Sequence, residues 1–213
     1  MARQDAIAAD LANATTAGYK ADRVSQQSFG ELMVTDLGTG KQVGTMVAGA
    51  RIERQVTDLR PAALRDTGNA LDMGISGEGY FAIRTPGGVR YTRNGSFQAD
   101  ASRTLVDQLG NPVLGPNTQP VRVGADDTVA ATAVGVFTVP GARKIGDAYF
   151  SGAATGRAAG VVSTNALEAS GVDAASTVVS MLTSLRAIEA GQKAITTIDE
   201  SLGKANSVGS LRG

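Results

Sequence analysis

Acidic side chains in adjacent pairs are the first residues of this chain whose type and spacing could do chemistry. The pairs are Asp126-Asp127 and Asp199-Glu200, and carboxylates of this kind can hold a divalent cation or transfer a proton. A calcium loop, however, places its acidic residues at alternating positions, and neither pair has that spacing. Adjacent acids on a loop or a helix usually face solvent, so we expect both pairs to be ordinary surface residues.

A glycine-rich loop at Gly77-Glu78-Gly79 is the second candidate, because the backbone amides of such loops can bind phosphate. This loop separates two apolar runs typical of strands, and it lacks the lysine and hydroxyl residue of a nucleotide-binding loop. We therefore expect a tight turn between strands. The sequence predicts no nucleotide site and no other cofactor site.

The chain contains no histidine and no cysteine. It therefore lacks the commonest general base, the usual partner of a catalytic serine and the side chains that most often bind zinc. The sequence Gly-x-Ser-x-Gly of a nucleophile elbow is missing as well. We expect a protein that is not an enzyme, with no catalytic residues, no cofactor and no bound metal.

Charge and hydropathy argue against several classes of partner. The 20 basic and 20 acidic side chains balance, and no cluster of Lys and Arg is dense enough to neutralise a run of phosphates. No segment approaches about 18 consecutive apolar residues, and the first residues, MARQDAIAAD, contain no apolar signal segment. We expect no nucleic acid, no small-molecule substrate and no direct membrane insertion. The chain should be cytosolic unless it is exported without a cleavable signal.

An apolar stripe near the C-terminus is the strongest structural signal. Residues 172–205 place apolar side chains at steps of three, four and seven, which is helical spacing. Asp173 is the expected N-cap of this helix, and Gly203 and Gly209 predict fraying near its other end. A helix of about this length measures about 45 Å, more than one small core can cover. It could still pack on the rest of the chain as a core helix, although charged residues beside the stripe resemble the flanks of a coiled coil. The stripe consists of Val178, Leu182, Leu185, Ile188, Ile195, Ile198 and Leu202.

A second, shorter helix is predicted over residues 3–14, where Ile7 and Leu11 lie four positions apart among alanines. Asn13 and Gly18 are expected to end it. A helix this short is marginal alone in water, so it needs a partner helix.

Strand and turn signals dominate the middle of the chain. Asn94-Gly95, between Tyr91 and Phe97, predicts a two-residue hairpin, because a type I′ turn needs positive φ at both central residues. Further short strands are predicted within residues 71–83, 105–114, 121–123 and 134–139, a loop or weak hairpin within 141–160, and an extended or loop segment over 21–70.

These elements predict an α+β fold, in which a mainly β central domain is flanked by N- and C-terminal helices that pair with each other. The helical domain would be discontinuous and comprise residues 1–20 and 172–213. The β-rich domain would comprise residues 21–171.

Three stretches resemble the signatures of the bacterial flagellar rod and hook family of axial proteins. Residues 5–20 (DAIAADLANATTAGYK) are similar to the N-terminal signature of that family. Residues 77–81 (GEGYF) with 91–97 (YTRNGSF) resemble its central β signature, and residues 165–173 (NALEASGVD) with 185–189 (LRAIE) its C-terminal signature. Because the three occur together and in order over almost the whole chain, the chain is identified as a member of the rod branch of this family.

The resemblance implies a structural subunit of the flagellar basal body. Such a subunit is exported by the flagellar type III apparatus and assembles helically, with copies of itself and with other rod and hook subunits, into the shaft that transmits torque from motor to hook. Its terminal helices would form an inner coiled-coil layer and its β domain an outer layer. The expected assembly interface comprises Ile7, Leu11, Asn13, Gly18, Tyr19, Val178, Leu182, Leu185, Ile188, Ile195, Ile198 and Leu202, with Asn13, Gly18 and Tyr19 forming the bend between the first helix and the β domain.

The chain departs from the family pattern in three places. It begins a few residues before Asp5, where family members carry further helical residues, so the first helix is expected to be shortened or its start misassigned. Gly171 replaces a usual Asn, and Ile188 a usual aromatic residue. The short segment after Lys20 favours a proximal-rod subunit. Two alternatives stay open: a hook or hook-junction subunit, and an exported β-domain binding module that its terminal helix oligomerises.

Overall fold

The computed structural model describes residues 2–28, 31–35, 42–47 and 50–210. Helix α1 is Ala2–Ala12 and helix α2 is Ala174–Ser210. A mainly β chain with a helix near each end belongs to the predicted α+β class. The strands are β1 Asp22–Ser28, β2 Glu31–Thr35, β3 Gln42–Val47, β4 Ala50–Thr57, β5 Leu64–Asp66, β6 Met73–Ser76, β7 Tyr80–Thr85, β8 Gly88–Thr92, β9 Gln98–Ala99, β10 Leu105–Val106, β11 Val113–Leu114, β12 Val136–Thr138, β13 Arg143–Ile145, β14 Tyr149–Ser151, β15 Gly156–Arg157, β16 Val161–Thr164 and β17 Ala166–Glu168, with one 3-10 turn at Ala131–Ala133.

The segment that follows α1 forms an antiparallel ribbon. β1 pairs with β4, from Asp22 opposite Thr57 to Ser28 opposite Ala50, and β2 pairs with β3 farther along the chain. At the base of the ribbon the Thr57 hydroxyl donates to Oδ1 of Asp22 at 2.6 Å. The sequence left residues 21–70 open between extended structure and loop; β1 to β5 lie in this region, and residues 58–63 and 67–70 are not strand.

A seven-stranded antiparallel sheet is the centre of the β domain. Its strands lie in the order β13, β14, β8, β7, β12, β15, and β11 pairs with β7 on the same edge as β12. The weak hairpin predicted within residues 141–160 is formed by β13 and β14 and extends this sheet. Shorter ladders join β16 to β6 and β17 to β5, so the segment before α2 is paired with strands near the start of the domain.

Both faces of β7 are buried. Phe81 and Ile83 point into a larger, mostly aliphatic cluster, while Tyr80 and Ala82 point into a smaller aromatic one. This is the alternation expected of a strand with a core on each side. The larger cluster also contains Met73, Ile75, Phe97, Leu105, Val113, Val121, Val123, Val129, Val134 and Val136.

The prediction of a hairpin at Asn94-Gly95 is wrong. β7 and β8 form the hairpin instead, and β9 pairs with β10. Oδ1 of Asn94 accepts from the N–H of Ser96 at 3.0 Å, which makes a local side-chain turn. Gly95 is required for another reason: its carbonyl accepts from the N–H of Met73 at 3.0 Å, and at this close approach an added Cβ would overlap the carbonyl oxygen of Met73. The small residue therefore serves a close backbone approach and not a reversal of the chain.

Helix α2 is longer than predicted. Asp173 caps it as expected, since its Oδ1 accepts from the N–H of Ala175 at 3.1 Å. The helix continues through Gly203 and Gly209, where the sequence predicted fraying, and its 37 residues span about 55 Å. Helix α1 contacts both α2 and β1. With 11 residues, α1 is about 16 Å long and can cover less than a third of α2.

Candidate functional site

A buried cluster of charged side chains joins both ends of the chain to the β domain. Glu168, at the end of β17, is 0% exposed. Its Oε1 accepts from Nζ of Lys20 at 2.6 Å and from the N–H of Ala62 at 2.8 Å, and its Oε2 accepts from Nη1 of Arg93 at 3.0 Å. Burial lowers the pKa of Lys20, while the hydrogen bond and charge of Glu168 oppose that shift. We call Lys20, Arg93 and Glu168 the junction cluster.

Backbone carbonyls and an aromatic ring complete the surroundings of the two cations. Nζ of Lys20 also donates to the carbonyl of Arg60 at 2.6 Å. Nη2 of Arg93 donates to the carbonyl of Gly77 at 2.9 Å, and the guanidinium lies 5.3 Å from the ring centre of Tyr80. The buried Nε of Arg93 makes no hydrogen bond with any residue that the structure describes. The cluster thus has hydrogen-bond partners on several sides, but one of its buried donors, the Nε of Arg93, is left without one among the described residues.

Tyr19 links α1 to the same junction. Its hydroxyl donates to Oδ1 of Asp10 in α1 at 2.9 Å. Nζ of Lys144 lies 3.9 Å from the centre of the Tyr19 ring and donates to the carbonyl of Lys20 at 2.8 Å and to Oδ2 of Asp22 at 2.9 Å. Burial, then the neighbouring Asp10 carboxylate, raises the pKa of Tyr19. The phenol therefore stays protonated and keeps donating to α1.

Two connectors link the helices to the β domain and run side by side. The N-terminal connector comprises residues 13–21 and the C-terminal connector residues 169–173. The N–H of Gly18 donates to the carbonyl at the end of β17 at 2.9 Å, and the N–H of Gly171 donates to the carbonyl of Tyr19 at 2.9 Å. The chain therefore approaches and leaves the β domain at neighbouring points.

Gly18 fits its place for two reasons. Its φ of +65° lies in the left-handed region that side chains other than glycine rarely adopt. A Cβ at this position would lie 2.5 Å from the backbone nitrogen of Asn94 and closer still to the carbonyl group of Arg93. The N-terminal connector thus passes directly over the backbone of the central β signature.

The structure brings the predicted bend residues together at this junction. Asn13 follows α1 and donates from Nδ2 to the carbonyl of Ala9 at 3.0 Å, while Gly18 and Tyr19 lie buried against the β domain. Ile7 and Leu11 are half-buried on α1. These residues occupy the end of α1 and the N-terminal connector.

The predicted stripe on α2 lies elsewhere and is exposed. The fractional exposure of its seven side chains ranges from 39% at Leu185 to 62% at Leu202. Val179 and Met181 are exposed apolar neighbours in the first turns of the helix. Because α1 is too short to follow α2 along its length, most of this apolar surface faces solvent in a single chain.

Sequence reasoning missed the junction cluster, although all three residues lie within the signatures. Lys20 ends the first signature, Arg93 stands in the second and Glu168 in the third. The available signal was a basic residue in each of the first two signatures and an acidic residue in the third. Asp10 lies in the first signature and was also missed, whereas nothing in the sequence around Lys144 points to its role.

Both acidic pairs have ordinary surroundings, and Asp199 and Glu200 are exposed on α2. Asp127 forms an ion pair with Arg103 at 2.8 Å, and Asp126 accepts from the hydroxyl of Thr128 at 2.7 Å. Within the described ranges, no three His, Cys, Asp or Glu side chains come together as metal ligands would. None of the helices in those ranges is both long and apolar enough to span a bilayer.

Two family models match the chain. The model described as "Flagellar hook protein FlgE/F/G D1 domain" matches residues 74–141, which include most of the seven-stranded sheet. The model described as "Flagellar basal body rod FlgEFG protein C-terminal" matches residues 163–208, which include β17, the C-terminal connector and most of α2. Arg93 of the first matched region and Glu168 of the second are hydrogen-bonded to each other in the junction cluster.

Similarity to individual rod proteins extends over nearly the full chain. The flagellar basal-body rod protein FlgG of Bacillus subtilis is 29% identical, and the match covers 93% of this chain and 90% of that protein. The rod protein FlgF of Mesorhizobium japonicum is 32% identical over 60% of this chain and 53% of its own length. The hook protein FlgE of Brucella abortus is 32% identical over 65% of this chain but only 31% of its own length. As the three signatures predicted, the chain belongs to the family of flagellar basal-body rod proteins.

Proposed function

We propose that this protein is a structural subunit of the flagellar basal-body rod, assembling helically into the shaft that transmits torque from motor to hook. The observation that carries the proposal is the exposed apolar stripe on α2, which lies inside the region matched by the rod C-terminal family model. Water-exposed apolar surface of this extent usually marks a contact with another protein. The partners are further copies of the chain and other rod and hook subunits.

The energetics of the stripe suit assembly. Fully burying an Ile, Leu or Val side chain contributes about 1.5 to 3 kcal/mol, and each side chain of the stripe is roughly half exposed. Covering the stripe therefore contributes about 1 kcal/mol per side chain, before the entropic cost of association. Each contact is modest, but a helical array repeats it in every subunit through heterologous contacts that do not close.

Pairing of α1 with α2 is the second part of the proposal. The two helices are in contact, and they leave the β domain from adjacent connectors. In the assembled rod they would form an inner coiled-coil layer, with the β domain outside it and the bend at Asn13, Gly18 and Tyr19. Subunits would reach this position through the flagellar type III export apparatus.

The alternatives fit the same observations less well. A hook subunit is disfavoured because the match covers 90% of the FlgG rod relative but only 31% of the FlgE hook relative. An exported binding module that α2 merely oligomerises would form small discrete assemblies, which electron microscopy distinguishes from rods.

A matched pair of substitutions on α2 tests the proposal. Ile195→Glu places a charge in the stripe at a side chain that is 61% exposed, so the single chain should tolerate it. Thr197→Glu places the same charge two residues later, about 200° around the helix and outside the stripe. Each variant replaces the natural chain in its own bacterium, alongside a deletion strain. Swimming in soft agar and the presence of rods in isolated basal bodies are scored.

The expected results separate the rod function from the role of the stripe as the assembly surface. The deletion strain and Ile195→Glu should lack complete rods and should not swim, whereas Thr197→Glu should assemble complete rods and swim. Normal rods in the deletion strain would contradict the rod function. Normal rods with Ile195→Glu would show that the stripe is not the assembly surface.

A further inference from the structure

The carboxylate of Glu168 contacts three of the segments that meet at the junction cluster. It accepts hydrogen bonds from Lys20 of the N-terminal connector, from Ala62 ahead of β5 and from Arg93 after β8. The three segments are far apart in the sequence, and the side chains of Lys20, Arg93 and Glu168 are almost completely buried. A single carboxylate thus connects the N-terminal connector, the segment between β4 and β5, and the residue that follows β8 in the central sheet.

The backbone of Glu168 extends the same arrangement. Its carbonyl accepts from Gly18, and three residues later Gly171 donates to Tyr19, so the two connectors are aligned from both sides of the carboxylate. Helix α2 begins at Ala174, just after this segment. The start of the C-terminal connector is therefore held to the N-terminal connector by two backbone hydrogen bonds, one on each side of residues 169 and 170.

Stability alone does not account for such a cluster. Removing an ion pair from water costs free energy that the pairing often fails to recover, and apolar side chains of similar volume commonly give equal stability. Here the orphaned Nε of Arg93 adds a further cost. The cluster differs from an apolar contact because its charged hydrogen bonds have a fixed donor and acceptor geometry. They therefore fix the relative orientation of the segments that they join.

We propose that Glu168 is a positioning residue, which fixes the direction in which α1 and α2 leave the β domain. It does so by holding Lys20 and Arg93 at the same buried carboxylate. In a subunit that is built into a shaft, this would set the angle between the helical part and the β domain before assembly begins. The inference concerns the single chain and does not depend on the rod function.

The test measures that direction in the full chain. Because the chain has no cysteine, two spin labels can be attached to introduced cysteines, and no native cysteine has to be replaced first. Ala187→Cys on α2 and Ala101→Cys on the β domain are both exposed, and neither lies in the stripe or in the junction. Pulsed electron resonance then gives the distribution of distances between the two labels in dilute protein.

Two variants are compared with the labelled wild type. Glu168→Gln keeps the shape of the side chain but leaves two buried cations without an anion. The double variant Lys20→Met with Glu168→Gln leaves one cation, so the net charge of the cluster equals that of the wild type. It therefore keeps the test valid even if the single variant does not fold. Glu189→Gln, an exposed site on α2, is the matched control.

The distance distribution should be narrow in the wild type and in Glu189→Gln. It should become about twofold broader in the double variant while the β domain keeps its folded circular dichroism spectrum. An unchanged distribution in a folded double variant would overturn the proposal. So would loss of the folded β domain in the double variant, because the cluster would then be needed for stability and not for direction.

Discussion

Replacing Gly18 by alanine tests whether the N-terminal connector is held as closely as the structure shows. The new methyl group would meet the backbone of Arg93 and Asn94, and backbone atoms cannot rotate away as a side chain can. The connector would have to lift, which breaks the hydrogen bond from the Gly18 N–H to the carbonyl of Glu168 at 2.9 Å.

The expected loss has two parts. Holding an alanine in the left-handed region costs about 1 to 2 kcal/mol. Leaving the buried carbonyl of Glu168 without its donor costs about 1 to 3 kcal/mol more. Gly18→Ala should therefore lower the free energy of unfolding by about 3 kcal/mol, a large share of the 5 to 15 kcal/mol typical of a folded domain.

Gly68→Ala is the matched control. Gly68 has nearly the same φ, +70°, but a Cβ there has no atom within 4 Å. Gly68→Ala should lower the free energy of unfolding only by the cost of holding alanine in the left-handed region, about 1 kcal/mol. Both variants are unfolded with urea and followed by circular dichroism and by tyrosine fluorescence, since the chain has no tryptophan.

Equal losses in the two variants would refute the reasoning, because the steric part would then be absent. Amide exchange adds a local readout. Gly18→Ala should speed exchange of the Gly18 and Gly171 amides, which bond across the two connectors, and Gly68→Ala should leave them unchanged.

Two further predictions concern the sheet and the long helix. Burial and the hydrogen bond to Asp107 raise the pKa of Tyr149 to about 12, above the value of about 10 in an unfolded chain. The stability that this tyrosine contributes is complete below about pH 10 and is lost as pH rises toward 12, so the urea midpoint of Tyr149→Phe should fall less steeply over that window than that of the wild type; identical slopes would contradict this. Gly191→Ala fills open space on the exposed middle of α2 and should favour the helix locally by about 1 kcal/mol, seen as slower amide exchange around residue 191; unchanged or faster exchange would contradict it.

Local patterns predicted the elements that depend on local forces. The stripe on α2 repeats over many turns, and Asp173 is a capping residue at the position where a helix must begin, so both were readable from the sequence. Asn94-Gly95 misled the prediction because the same dipeptide can meet two different needs. It favours a tight turn, but Gly95 is needed where the chain crosses the backbone at Met73, a contact between residues distant in the sequence.

The junction cluster depends on contacts that no local pattern encodes. Lys20 and Glu168 are separated by almost the whole β domain, and Arg93 lies midway between them. Their signs are complementary, but a sequence contains many such pairs, and only the fold selects one. Gly18 and Tyr19 were singled out because glycine and an aromatic side chain stand out locally, whereas the buried charges next to them do not.

Because the two connectors run side by side, the spacing between the attachment points of the helices does not depend on the number of residues in the β domain. Because the chain approaches the domain near Lys20 and leaves it near Ser170, residues inserted or deleted between those points change the bulk of the domain and not the spacing of its two attachments. The match to FlgG runs over 241 positions although this chain has 213 residues, so that relative carries segments that this chain lacks. On this plan, a larger or a smaller β domain is compatible with the same attachment of the two helices.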